Sequence, residues 1–415
     1  MDLSIQAIAQ FFQQSISDER IVTSFTFDSR AVKKGSLFFA LKGEKVDGQT
    51  FLEEVAKKGA FAAVVSENYR GNNFGMALIF VDDVKQGLQE LARHFFRLKA
   101  PLVIGVTGTV GKTTTKEFIA GILSEKFRVG KTVGSQNSQV SLPLTLLNWK
   151  GEDEILVLEM GMSQKGELAR LIEIAPPDIG VLTKISLAHA AFFSHLDEIA
   201  EEKCTLFQSE KMTRAFVHQS AQVFQAAQNI SAPITWFDQE SFPAPFTEPH
   251  LLENLGVAIA IARHLGMTDG DIARGAKKLK PFKHRGEKIE KKGALFIDDS
   301  YNASPASMKA ALNALPQGKR RMALFGAMKE LGTFEKESHL SVAKHALPLI
   351  DTLLCIGKEC QVMVDLFQEE GKEAFFFETK KEAANYLKQQ VERGDVVLLK
   401  GSNSFALWTV LEEID

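Results

Sequence analysis

Short apolar runs alternate along the chain with segments in which apolar residues recur every three or four positions, the marks of strands and helices in turn. Thr23 to Phe27, Leu37 to Leu41, Phe61 to Val65 and Leu78 to Val81 predict strands, and FLEEVAKKGA predicts a helix between two of them. Val84 to Lys99 sets Leu88, Leu91, Ala92 and Phe95 on one face, an amphipathic helix that must end by Pro101. A buried-type strand LVIGV follows, then a glycine loop, then a helix striped by Phe118, Ile119, Ile122 and Leu123. The runs ILVLEM and IGVLT alternate with further helical patterns, which predicts a largely parallel sheet covered on both faces. KKLKPFKHRGEKIEKKG is a charged stretch and predicts a solvated domain junction. Beyond it ALFIDDS, RMALFG, TLLCIG, EAFFFE and VVLLKGS predict the strands of a second doubly wound unit.

The fold expected is therefore α/β in three domains: residues 1–98, a central sheet of the ATPase type over 99–291, and a Rossmann-like domain over 292–415. A chain of 415 residues is long enough for two or three cores. A net charge of −3 lacks the basic footprint of a nucleic-acid binder, and no apolar run reaches membrane-spanning length. Cys204, Cys355 and Cys360 are too few and too irregular for a disulfide framework or a four-ligand zinc site. The N-terminus has no basic region before its apolar residues, so it does not read as a secretory signal, and a cytoplasmic protein is expected.

Chemistry concentrates in GVTGTVGKTTTKE. Gly108 and Gly111 let backbone approach phosphate oxygens, and the amides opening the next helix point at the anion. Lys112 is placed to neutralise β and γ phosphates and the Thr113 hydroxyl to ligate magnesium. Glu159 in VLEMGMS and His189 in KISLAHAAF follow apolar runs, at the sheet edge where a magnesium nucleotide is expected. Lys203 falls on the apolar face of DEIAEEKCTLFQ. Either it snorkels and keeps a wet ammonium, or it faces a site and is chemically special.

TGTVGKTT, LEMGMSQKGEL, ISLAHAAFFSHLDEIAEEK, DDSYNASPASM, FGAMKELG and KGSNSF, in this order, resemble the Mur ligases of peptidoglycan precursor synthesis. FDSRAVKKGSLFFALKGEKVDGQTFLEEVAKKGAFAAVV is similar to the uridine-nucleotide-binding domain of the tripeptide- and pentapeptide-forming members, and DDSYNASPASM resembles the pentapeptide-forming branch. The resemblance implies an ATP-dependent ligase that joins D-alanyl-D-alanine to UDP-N-acetylmuramoyl-tripeptide through an acyl phosphate, releasing ADP and phosphate. The alternatives are another Mur-like ligase, such as the diamino-acid-adding one, and a UDP-precursor-binding protein without catalysis. It further implies a cytoplasmic monomer with small-molecule substrates, no nucleic-acid or membrane partner, and two magnesium ions.

By the same resemblance, Lys112, Lys203, His189 and Arg285 are catalytic, and Gly108, Thr109, Gly111, Lys112, Thr113, Thr114, Asn254, Arg285 and Asp299 surround ATP. Thr113, Glu159, His189 and a carbamylated Lys203 hold metal, the carbamate turning a repelled ammonium into an anion. Asp28, Ser29, Arg30, Lys42, Asp47 and Gly48 match the UDP-sugar side, Asn137 is a further substrate-binding residue, and Asn302, Ser304 and Ser402 stand at the dipeptide end. The C-terminal domain is expected to close over ATP. The chain departs from the family pattern at Gln49, Ser138, Ser141, Lys184, Leu251 and Ala327, and between Lys203 and His250 it is shorter than the family norm, an expected loss of accessory strands.

Overall fold

A computed structural model describes residues 3–43, 46–99, 101–186, 193, 195–280 and 282–414. A small antiparallel ladder, β1 (Leu3–Ser4) with β2 (Ile21–Val22), precedes a four-stranded parallel sheet of β3 (Ser24–Thr26), β4 (Ser36–Phe39), β5 (Ala62–Ser66) and β6 (Ala77–Val81) in that order. The segment expected to be one helix from Phe51 divides into a 3-10 turn, Gly48–Phe51, and the helix Leu52–Lys57. The amphipathic helix forms as Val84–Arg97, capped by the Asp83 side chain on the Gln86 amide.

The central sheet contains β7 (Leu102–Thr107), β8 (Val129–Lys131), β9 (Ile155–Glu159), β10 (Ile179–Leu182), β11 (Arg214–His218) and β12 (Ile234–Phe237), all parallel, in the order β12-β11-β10-β7-β9-β8. Every side chain of β9 and β10 is buried, as helices on both faces require of an inner parallel strand. β11 and β12 lie between Lys203 and His250, the stretch that is shorter than the family norm and in which a loss of accessory strands is expected. Their apolar runs are short, and pairing of β11 to β10 and of β12 to β11 supplies what local sequence does not.

The third sheet runs β13-β14-β18-β15-β16-β17, from β13 (Glu287–Lys291), β14 (Ala294–Asp298), β15 (Arg321–Gly326), β16 (Thr352–Ile356), β17 (Glu373–Phe377) and β18 (Val396–Lys400). All neighbours are parallel except β13, which pairs antiparallel with β14. The charged stretch read as a solvated junction thus contains an edge strand. Its side chains alternate between partly buried and exposed, Ile289 packs inward, and its charges discourage further strand addition.

Candidate active site

The loop between β7 and the helix Lys112–Leu123 needs both its glycines. Gly108 (φ +143°) would carry a β-carbon 1.8 Å from Thr183 Oγ1, and Gly111 (φ +86°) one 2.7 Å from Asn254 Oδ1. Lys112 folds back over the loop, donating to the carbonyls of Gly108 and Thr109 at 2.9 and 3.1 Å. Burial pushes its ammonium below the ordinary value, Glu159 opposes that shift and Arg285 adds to it. Thr109 donates its hydroxyl to Ser186 O at 3.0 Å, and Thr114 is buried in the first turn of the helix.

Glu159 ends β9 as a buried carboxylate, accepting from the Thr113 hydroxyl at 2.8 Å and from Asn137 Nδ2 at 2.7 Å. Arg285 arrives from the segment leading into β13, and its Nη2 donates to Thr113 Oγ1 at 3.0 Å and to Ser135 Oγ at 3.2 Å. Residues 172 positions apart therefore meet at the head of the phosphate loop. Asn254 accepts the Thr115 hydroxyl at 3.0 Å. Asp299 receives the buried Lys400 ammonium at 2.6 Å.

Apart from Gly108, Thr115 and Ser186, these groups line one cleft of about 820 Å³ between the central and C-terminal sheets, together with Asn302, Ser304 and Ser402. The last three are already engaged: Asn302 Oδ1 accepts from the Ala303 amide, Ser304 caps the helix Pro305–Asn313, and Ser402 Oγ accepts from the Lys329 amide. His189 lies outside the described residues.

Lys203, on the helix Leu196–Cys204, is 3% exposed, so the wet, snorkelling ammonium is overturned. Burial, and secondarily the charge of Lys112, hold it well below the usual lysine value. It is not among the residues lining the cleft.

The residues assigned to the UDP-sugar side form a separate group. Asp28 and Asp47 follow the C-terminal ends of the neighbouring parallel strands β3 and β4, and each caps a 3-10 turn, Ser29–Ala31 and Gly48–Phe51. Arg30 pairs with Asp28 at 2.7 Å, and Lys42 bridges Asp47 through the backbone. Gly48 is buried where a β-carbon would lie 2.6 Å from Leu41 O. None of these six lines the cleft.

Several departures acquire partners. Ser138 and Ser141 hydrogen-bond each other at 3.0 Å, Lys184 pairs with Glu253 at 2.6 Å, and Gln49 bonds Asp47. Leu251 and Ala327 are buried. Sequence reasoning missed Lys116, a fully buried lysine donating to Thr132 O at 2.7 Å and Gly134 O at 2.5 Å, with Glu159 4.0 Å away. It pins the segment that carries Ser135 and Asn137 against the loop helix. Its spacing of four from Lys112, hence the same helix face, was the available signal. Lys400, a lone charge closing an apolar strand, carried a similar one.

Comparison with known proteins agrees along the chain. Residues 22–96 match the profile of the Mur ligase family catalytic domain, 106–248 the Mur ligase middle domain, and 284–403 the Mur ligase glutamate ligase domain. The UDP-N-acetylmuramoyl-tripeptide--D-alanyl-D-alanine ligase of Bacillus subtilis is 30% identical, covering 96% of this chain and 94% of its own length. That of Synechocystis is 31% identical, covering 96% and 93%. The crystal structure of a MurF ligase from Thermotoga maritima in complex with ADP superposes with a TM-score of 0.80 at 30% identity, covering 95% of this chain and 97% of that one. With three domain profiles in sequence and relatives matched nearly end to end, the chain belongs to the Mur ligase family.

Proposed function

We propose that the protein is an ATP-dependent carbon–nitrogen ligase that joins D-alanyl-D-alanine to the terminal carboxylate of UDP-N-acetylmuramoyl-tripeptide. The observation that carries this reading is the meeting of Arg285 with Thr113 and Glu159 over the glycine loop, on a scaffold similar along its length to ligases named for that reaction. A carboxylate oxygen attacks the γ-phosphorus and the bond to ADP breaks, leaving an acyl phosphate. The dipeptide amine then attacks the acyl carbon, loses a proton, and phosphate departs from the tetrahedral intermediate. Both steps gather negative charge, which fixed cations and oriented amides are built to meet.

Lys112 would turn from the carbonyls it now holds to the β and γ phosphates, while the helix N-terminus directs its amides at them. Thr113 and Glu159 offer hard oxygen ligands 2.8 Å apart, a donor set that fits magnesium. When bound, the metal would neutralise phosphate charge. Asn137 holds Glu159, and Arg285 covers the phosphate in transfer. Asn254 and Asp299 face the nucleotide, Asn302, Ser304 and Ser402 the dipeptide, and the turns of Asp28 to Arg30 and Lys42 to Gly48 the uridine side. A carbamate on Lys203 is consistent with its depressed basicity, because CO2 reacts with a neutral amine and releases a proton.

A phosphate-release assay tests the reading. Release is expected with ATP, UDP-tripeptide and D-alanyl-D-alanine together, and background without the dipeptide. Turnover with a diamino acid in place of the dipeptide would sink it, as would no turnover under any combination.

A further inference from the structure

Arg285 is aimed less by its own contacts than by the chain around it. Its Nε is buried without a hydrogen-bond partner among the described residues, and its guanidinium lies over the Tyr301 ring, 4.1 Å from the centroid. The preceding residue, His284, holds the left-handed conformation at φ 62°, unfavourable for any side chain with a β-carbon. Such a conformation persists only when its surroundings over-determine it, and here they do. His284 Nδ1 donates to Asp298 Oδ2 at 2.6 Å. The same buried carboxylate accepts through Oδ1 from the Ser300 amide and hydroxyl at 3.2 and 2.5 Å. The imidazole stacks on Trp408, centroids 4.8 Å apart and planes 21° from parallel. Backbone bonds bracket the arginine, Tyr301 N to His284 O at 3.1 Å and Gly286 N to Asp298 O at 2.9 Å.

We propose that His284 is a positioning residue: bonded to Asp298 and stacked on Trp408, it latches the segment entering β13 to the end of β14 so that Arg285 projects across the cleft to Thr113. Asp298 ends β14 of the C-terminal sheet and Thr113 opens the helix that follows β7 of the central one, so the latch sets the reach of one domain into the other's phosphate site. This rests on the reading of Arg285 as the cation that meets the transferred phosphate. A loosened latch lets Arg285 wander, which costs the chemical step while nucleotide binding, made mostly by the glycine loop, persists.

The test measures kcat, KM for ATP, and ADP binding by calorimetry in the full-length enzyme. Arg285→Ala should lose kcat about a hundredfold or more. His284→Ala and His284→Gly should each lose kcat tenfold or more, with KM for ATP and ADP affinity within threefold of wild type. His284→Asn should stay within threefold of wild-type kcat, because asparagine tolerates the left-handed backbone and its amide nitrogen can take the place of Nδ1. Glycine separates the two causes: wild-type kcat in His284→Gly would mean that only the backbone matters and overturns the latch. Wild-type kcat in His284→Ala overturns it too. Should His284→Ala fail to bind ADP, the glycine and asparagine variants decide. Full turnover in Arg285→Ala would instead defeat the reading of Arg285, and the latch with it.

Discussion

Lys203 places a base where the fold excludes water, and its protonation then opposes folding. Its folded value lies well below the ordinary 10.5, chiefly through burial. Between those two values the unfolded chain binds the extra proton, so stability rises with pH across that window and the cost is greatest below the folded value. In CO2-free buffer, Lys203→Met should raise the melting temperature at neutral pH, and the gain should shrink as pH approaches 10.5. An equal gain at every pH would show that the lysine is not buried neutral. The activity of Lys203→Ala should be near background and partly restored by a short-chain carboxylate; wild-type turnover without additives would defeat the carbamate reading. The sequence placed this lysine on an apolar face, but the face alone could not say whether its tip reached water, since four methylenes can carry it out.

Among the elements, the helix Ser141–Asn148 does something its pattern did not announce. Asn148 closes a two-bond bridge to β3, its Oδ1 accepting from Phe25 N at 3.0 Å and its Nδ2 donating to Phe25 O at 2.9 Å. A side-chain amide thus replaces a neighbouring strand at the edge of the N-terminal sheet. Asn148→Ala would strand both backbone groups, a cost of about 1–3 kcal/mol. Denaturant melts should show that loss with the slope unchanged, and a loss under 0.5 kcal/mol would mean water satisfies the edge. Strands buried on both faces, β7, β9, β10 and β18, were legible as apolar runs. β11, β12 and the edge strand β13 were not. β12 and β13 meet solvent in part and β11 has an apolar run of only three residues, Ala215 to Val217; β11 and β12 are held by ladder bonding that reaches back to β10, and β13 by its hairpin with β14.

At the scale of the whole molecule the hydrophobic cores do not follow the division into three. One apolar cluster runs continuously from Leu3 and Phe25 through Phe96 to Leu142, Leu158 and Val217, joining the N-terminal sheet to one face of the central one. The two clusters of the C-terminal sheet, over 295–405 and 289–414, include no residue of the others. Residues 284–414 produced alone should therefore melt cooperatively, whereas residues 3–99 alone should not, because the larger of their two apolar clusters is completed from the central domain and only the smaller one, around Phe38, Leu52 and Val65, is their own. A cooperative melt of the N-terminal piece by itself would contradict this. The cleft lies at the junction the cores leave open, where the two halves touch through polar groups such as Arg285 and Thr113.

The sequence by itself determined the α/β class, the glycine loop with Lys112 and Thr113, and the family, because these depend on short-range features: periodicity, the conformational freedom of two glycines, and motifs in order. Only the tertiary structure decided that Arg285 reaches Thr113, that Glu159 is shared by Thr113 and Asn137, that Lys203 is dry, and that Lys116 and Asn148 hold separate segments together. Each of these depends on distances between residues remote in the chain and on how much water is left at a particular atom. Neither quantity exists until the sheets have packed.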